Sequence, residues 1–75
     1  MAAFSENLQF YRKKADMTQE ELAERMEVSR QTISKWELGQ SLPDLDFIAQ
    51  LSEIFNVSSD YLIKVEMFEP DEPLY

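Results

Sequence analysis

Apolar residues recur three or four positions apart in successive short stretches of the chain, with polar residues between them. This spacing places the apolar side chains on one face of an α-helix. It predicts five helices, over about residues 4–15, 18–26, 30–38, 45–56 and 59–63. The pattern therefore predicts an all-α fold, a compact bundle of five short helices.

Residues suited to helix ends lie between these stretches. Thr18 and Glu21 have the spacing of a capping box, in which each side chain accepts a hydrogen bond from the other residue's backbone N–H. Gly39 is the only glycine and follows the third helix, where a residue in the left-handed conformation is favoured. The predicted N-caps of the third, fourth and fifth helices are Ser29, Asp44 and either Ser58 or Ser59.

A chain of 75 residues forms one small domain with one hydrophobic core. We expect the core to consist of the apolar residues that face inward from the helices and the turns. Its predicted members are Leu8, Leu22, Ala23, Met26, Val28, Ile33, Trp36, Leu45, Ile48, Leu51, Phe55, Val57 and Leu62.

The end of the chain differs in composition from the rest. Residues 65–75 contain two prolines and four acidic residues, which disfavour helix and strand. We predict a domain over residues 1–64 and an acidic tail over 65–75. The tail is extended or disordered, a strap that packs on the domain, or the start of a further C-terminal domain. Its apolar residues are Val65, Met67, Phe68, Leu74 and Tyr75.

The net charge of −8 is unevenly distributed along the chain. Residues 12–40 contain six basic and six acidic side chains, whereas residues 41–75 contain one lysine and eight acidic side chains. The net negative charge of the whole chain would repel a polyanionic partner. Residues 12–40 have no net charge and would not repel it. The distribution therefore permits binding to nucleic acid without requiring it.

Several function classes are disfavoured by what the chain lacks. It contains no cysteine and no histidine, so thiolate metal sites and histidine catalysis are excluded. Glu20, Glu21 and Glu24 could suggest a metal or acid–base cluster, but a solvated helix face is the preferred interpretation. The N-terminus does not resemble a signal peptide, and no apolar run approaches the roughly 20 residues of a membrane span. We expect no enzymatic activity, no metal and no cofactor.

The segment over residues 17–38 has the pattern of a helix-turn-helix. A three-residue turn joins the second and third helices, and this geometry places the second of the two helices in the DNA major groove. Ile33 and Trp36 are predicted to face the core, which leaves Arg30 and Gln31 on another face. Arginine can donate two hydrogen bonds to guanine, and glutamine can bond adenine at two atoms.

The run from Thr18 to Glu37 strongly resembles the phage repressor and Cro (XRE) family of helix-turn-helix regulators. The motif is TQ-x-x-LA followed by VS-x-x-TIS-x-WE, and the likeness continues through Gly39 and Pro43 to Tyr61 and Leu62, over about residues 4–64. The resemblance implies a five-helix, lambda-repressor-like domain that binds double-stranded DNA and regulates transcription, by repression in many members. It also implies a homodimer on a palindromic operator and a bacterial or phage-encoded protein of the cytoplasm.

The resemblance also implies roles for individual residues, carried over by position. Arg12 and Glu37 match a partly buried salt bridge between the first and third helices. Base contacts are implied for Arg30, Gln31, Lys35 and Thr32. Phosphate contacts are implied for Gln19, Ser29, Ser34, Gln40 and Ser41, with Gln19 also bracing the third helix.

Two residues depart from the family pattern. Glu27 stands where the family usually has glycine in the turn, which costs roughly 1–2 kcal/mol if the backbone there is left-handed. Leu38 replaces a position that is often asparagine or serine, which removes one possible phosphate contact.

The alternative function is a protein-interaction module on the same fold, with weak DNA binding. The acidic charge of residues 41–75 could mimic nucleic acid or attract a basic protein, as in an antitoxin-like role. The fold alone does not distinguish a DNA partner from a protein partner.

Overall fold

The computed structural model describes residues 4–63 and contains, within them, the helices α1 (Phe4–Lys14), α2 (Gln19–Met26), α3 (Arg30–Glu37), α4 (Leu45–Phe55) and α5 (Ser59–Ile63). No strand is present in this range. The predicted all-α bundle of five helices is confirmed, and each observed helix end lies within one residue of its predicted position. The predicted tail over residues 65–75 lies outside the described residues and stays a prediction.

The helices begin at side chains that satisfy free backbone N–H groups. At the start of α2, the Thr18 hydroxyl accepts from the Glu21 N–H at 3.0 Å, and the Glu21 carboxylate accepts from the Thr18 N–H at 2.8 Å. This is the predicted capping box. The side chains of Ser29, Asp44 and Ser58 accept hydrogen bonds at 3.1 Å from the backbone N–H groups of Thr32, Phe47 and Asp60. Ser58 is therefore the cap of α5.

Four helices are followed within two residues by one in the left-handed conformation, with φ of 61° at Asp16, 60° at Glu27, 76° at Gly39 and 57° at Asn56. Each donates its N–H to a carbonyl three positions back, and the next residue donates to a carbonyl five positions back. These two hydrogen bonds satisfy backbone carbonyls at the end of the helix that have no partner within the helix. Only one of the four is glycine, and Glu27 lacks the short polar side chain that makes this conformation easier for Asp and Asn.

The core lies where the inward faces of all five helices meet. Predicted core members Val28, Ile48, Phe55 and Val57 are half-buried and pack against its edge. Phe4 is buried in the core although it was not predicted there. The buried apolar residues are Phe4, Leu8, Leu22, Ala23, Met26, Ile33, Trp36, Leu51 and Leu62.

The prediction that Leu45 belongs to the core is wrong, because its side chain is 80% exposed. The buried stripe of α4 is centred on Leu51, which is fully buried. At about 100° per residue, a position six residues earlier lies about 120° from that centre. Phe47 lies four residues before Leu51 on the same face, and its ring packs 5.4 Å from that of Trp36. Phe47 therefore fills the position that was assigned to Leu45.

Contacts around α3 decide which of its faces is left for a ligand. It packs against α1 and α2, while α5 packs against α1 and α4. The Tyr11 and Phe55 rings stack 6.2 Å apart and tie α1 to α4. The Asn7 side chain donates to the Leu62 carbonyl at 2.8 Å and ties α1 to α5. The packing of α1 and α2 holds the inner side of α3, and its outer residues Arg30, Gln31 and Lys35 stay exposed within residues 4–63. None of the helices described is long and apolar enough to cross a membrane.

Candidate nucleic-acid interface

The turn between α2 and α3 consists of residues 27–29, which is the length expected for a helix-turn-helix. Glu27 takes the left-handed conformation that ends α2, with φ 60° and ψ 40°. Val28 packs against the core edge, and Ser29 caps α3. The turn is therefore fixed at all three of its residues, and it sets the angle at which α3 leaves α2.

The third helix has two faces of opposite character. Ile33, Trp36 and Glu37 are buried, with Glu37 only 5% exposed. Arg30, Gln31, Lys35 and, in part, Ser34 lie outside. The structure brings Arg30 and Gln31 together at the exposed N-terminal end of α3, with Lys35 one turn further along.

Arg12 of α1 and Glu37 of α3 form a two-point ion pair. Arg12 Nε lies 2.5 Å from Glu37 Oε2, and Arg12 Nη2 donates to Glu37 Oε1 at 3.1 Å. Arg12 Nη1 also donates to the Met17 carbonyl at 2.8 Å. The side chains are 12% and 4% exposed, so removing one partner would leave a charge largely shielded from water.

Gln19, the first residue of α2, connects this ion pair to the surface. Its Nε2 donates to Glu37 Oε1 at 2.9 Å. Its Oε1 accepts a hydrogen bond of 3.3 Å from Arg30 Nη1. The Gln19 side chain therefore bonds two residues of α3, the buried Glu37 and the exposed Arg30.

Some of the small polar residues near α3 already form hydrogen bonds within the protein. The Ser29 hydroxyl lies 3.0 Å from that of Thr32 and also accepts from the Thr32 N–H. Thr32 is half-buried, and the contact with Ser29 engages its hydroxyl and not its methyl group. Gln40 and Ser41 are exposed in the loop after α3, where the Gln40 N–H donates to the Lys35 carbonyl at 2.9 Å.

The charge of this surface differs from that of the chain. Residues 28–43 contain three charged side chains, Arg30, Lys35 and Glu37. Since Glu37 is buried against Arg12, every charge that this segment exposes is positive. The local sign suits a phosphate backbone despite the net charge of −8.

One residue of the network was not predicted. Gln9 of α1 donates from Nε2 to the Glu37 carbonyl at 2.9 Å and so holds the last turn of α3. It lies three positions before Arg12, on the same side of α1. The spacing of three residues from Arg12, a member of the predicted salt bridge, was the sequence signal that could have identified Gln9.

A family model described as helix-turn-helix matches residues 8–62, which is most of the chain. The chain belongs to the XRE helix-turn-helix family. This family consists of DNA-binding transcription regulators and not of enzymes, which confirms the predicted class of function.

Two relatives show how much of a longer protein this chain represents. The HTH-type transcriptional activator BcrR of Enterococcus faecalis is 43% identical over 63 residues, 84% of this chain and 31% of that protein. The uncharacterized HTH-type regulator YqaE of Bacillus subtilis is 39% identical over 66 residues, 88% of this chain and 57% of that protein. The chain thus spans about a third to somewhat over half of these relatives.

Two solved structures share the fold. The SOS-response transcriptional repressor LexA from Eubacterium rectale has a TM-score of 0.80 and 34% identity, covering 93% of this chain and 74% of that one. The P22 c2 repressor, solved in complex with a synthetic operator, has a TM-score of 0.81 and 30% identity, covering 88% of this chain and 100% of that one. The lambda-repressor-like fold is therefore confirmed.

Proposed function

We propose that this domain binds a double-stranded DNA operator by inserting α3 into the major groove. One observation supports this most directly: the outer edge of α3 exposes Arg30, Gln31 and Lys35 and no acidic side chain. The major groove is about 12 Å wide and admits one helix. P22 c2, which has the same fold, was solved with an operator.

The individual contacts follow from exposure and chemistry. Arg30 and Lys35 can donate to guanine and Gln31 can bond adenine, while the Thr32 methyl suits contact with thymine. Ser29, Ser34, Gln40 and Ser41 offer hydroxyl, amide and backbone N–H groups to phosphate oxygens on either side of α3. We assign a phosphate contact to Gln19 by family position, and its side chain also bonds Glu37 and Arg30 of α3.

We propose that the protein binds as a homodimer on a palindromic operator, at least when DNA is present. One α3 contacts only a few base pairs, so useful specificity needs two half-sites about 34 Å apart. Leu42 and Ile63 are 74% and 47% exposed and line an apolar groove with Phe4, Pro43 and Ile48. We propose this groove as the contact surface between the two copies.

The regulatory outcome that we propose is repression, in which the bound protein blocks a promoter. Among the similar proteins, LexA and P22 c2 are named repressors and BcrR is named an activator. A reporter with the selected operator placed across a core promoter tests this directly. We expect transcription to fall when the protein is present, and a rise would assign activation instead.

Selection from a random double-stranded DNA library, repeated at two salt concentrations, tests the DNA proposal. We expect a palindromic consensus and a log–log salt slope of about −0.9 per neutralised phosphate. The Gln31→Ala variant should relax the preference at one base pair by about 1–3 kcal/mol, with Gln50→Ala on the exposed face of α4 as the matched control. Failure to select any sequence, together with no salt slope, would favour the protein-interaction alternative.

A further inference from the structure

Leu38 is an exposed apolar residue at the end of the candidate interface. It follows α3 directly as its C-cap, and 66% of its surface is exposed. Among the described residues, the apolar side chains that form the core or pack against it do not include Leu38. Single exposed leucines are common on protein surfaces, so the position of Leu38 on α3 decides whether it has a role.

The backbone keeps Leu38 in the helical register of α3. Its N–H donates to the Ser34 carbonyl, four residues back, at 2.9 Å. Its own conformation lies in the right-handed helical region, with φ −90° and ψ −3°. Gly39, with φ 76°, is the first residue to leave that region. Helical spacing therefore determines the face of α3 on which Leu38 lies.

That face is the one that carries the predicted base contacts. At about 100° per residue, Leu38 lies about 60° from Lys35 and about 20° from Gln31 around the axis of α3. It lies about 140° from Ile33, which is fully buried. Gln31, Lys35 and Leu38 therefore form one row along the outer edge of the helix, and Leu38 is the last residue of that row.

The chemistry of leucine restricts what it can contact on DNA. Its side chain has no hydrogen-bond donor, so it cannot bond a phosphate oxygen. In the major groove, thymine presents its C5-methyl group, and apolar side chains contact that group. Contact between the methyl group and a leucine removes apolar surface of both from water. Among the four bases, thymine is therefore the one that an exposed leucine favours.

We propose that Leu38 is a specificity-determining residue that contacts a thymine C5-methyl group at one end of the base pairs contacted by α3. A polar side chain that bonded phosphate here would add affinity for any sequence, whereas leucine adds affinity only where a methyl group is present. The inference rests on the proposed DNA-binding function. It adds one base preference to those assigned to Arg30, Gln31 and Lys35.

The test varies a single methyl group in the operator. Selection from a random library with wild type and with Leu38→Ala identifies the position at which the variant loses a preference for thymine. Four operators then carry thymine, uracil, cytosine or 5-methylcytosine at that position, each with its complementary base. Uracil is thymine without the methyl group, and 5-methylcytosine is cytosine with it. Dissociation constants are measured for wild type and Leu38→Ala on all four operators.

Wild type is expected to bind about fourfold more tightly when the methyl group is present, for either base pair, as burial of one such group predicts. Leu38→Ala should lose this difference and should bind the uracil and cytosine operators as wild type does. Equal binding of the thymine and uracil operators by wild type would overturn the proposal. An equal loss by Leu38→Ala on all four operators would also overturn it and would assign Leu38 to the DNA backbone.

Two further variants serve as controls. Leu45→Ala removes the same atoms from a leucine of α4 that is 80% exposed, and it should leave all four dissociation constants unchanged. Leu38→Met keeps an apolar side chain of similar size and should retain the methyl preference. Thermal unfolding of each variant reports whether it is folded.

The outcomes also separate this inference from the function on which it rests. If wild type selects no DNA sequence, the proposed function and this inference both fail. If wild type and Leu38→Ala select the same sequence with the same preference at every position, only this inference fails.

Discussion

The third helix and the last two helices handle acidic side chains in opposite ways. Helices α1 to α3 bury a carboxylate, Glu37, and satisfy it with Arg12 and Gln19. Residues 41–63 contain four acidic and no basic side chains, and all four carboxylates are exposed. Burying the one carboxylate of α3 leaves the outer edge of this helix positive, whereas residues 41–63 expose only acidic charge. Net charge is therefore a poor guide to what this surface binds.

The two parts also differ in what holds them together. Around α3, a hydrogen-bonded ion pair lies beside apolar packing. Helix α4 instead packs through apolar and aromatic side chains, with Leu51 fully buried and Phe47 against Trp36. Removing one partner of a buried charged pair leaves an unpaired charge, whereas shortening an apolar side chain leaves a cavity. The two parts should therefore respond differently to substitution.

The largest effect is expected from Glu37→Ala, which leaves Arg12 unpaired in a largely buried position. We expect a loss of about 3–5 kcal/mol in the free energy of unfolding, measured by urea denaturation. Glu53→Ala, at an exposed carboxylate of α4, is the control and should change stability by less than about 0.5 kcal/mol. Similar effects of the two substitutions would show that the buried pair has no special role.

A second variant separates the charge from the packing at the same site. Replacing both partners, as Arg12→Met with Glu37→Leu, removes the unpaired charge and should recover most of the stability lost in Glu37→Ala. The same double variant should still bind DNA more weakly, because Gln19 then has no carboxylate to orient it.

The apolar part is tested by two leucines of one helix. Leu51→Ala should cost about 2–5 kcal/mol, since it creates a cavity beside fully buried neighbours. Leu45→Ala makes the same change at a side chain that is 80% exposed and should cost less than about 0.5 kcal/mol. Urea denaturation of both variants provides the comparison, and equal losses would mean that α4 buries a different face.

The smallest changes in the free energy of unfolding are expected from substitutions at the ends of α2 and α3. One of them should be a loss and the other a gain. Gly39→Ala should lose about 1–2 kcal/mol because φ is 76°. Crowding adds little, since the new Cβ would meet only the Ser5 hydroxyl at 3.8 Å. Glu27→Gly relieves the same strain at φ 60° but adds chain entropy, for a net gain below about 1 kcal/mol. Thermal unfolding distinguishes these outcomes, and a loss in Glu27→Gly would reveal a contact made by its side chain.

Much of the fold was determined by local sequence. Helix positions follow from the spacing of apolar residues, and their starts follow from Thr18, Ser29 and Asp44, because capping acts over three or four residues. The family motif also identified the helix-turn-helix and the class of function. These features need no knowledge of which helices lie next to each other.

Tertiary structure decided what depends on contacts between distant residues. Leu45 and Phe47 are both apolar residues at the start of α4. Leu45 is 80% exposed and Phe47 is half-buried against Trp36, because the face of α4 that carries Leu51 packs on the core. The opening helix-turn-helix motif likewise could not show that Gln19 joins a buried carboxylate to Arg30, because those bonds depend on how α1, α2 and α3 pack. The sequence by itself determined the helices and the family, and the packing determined how the exposed edge of α3 is held.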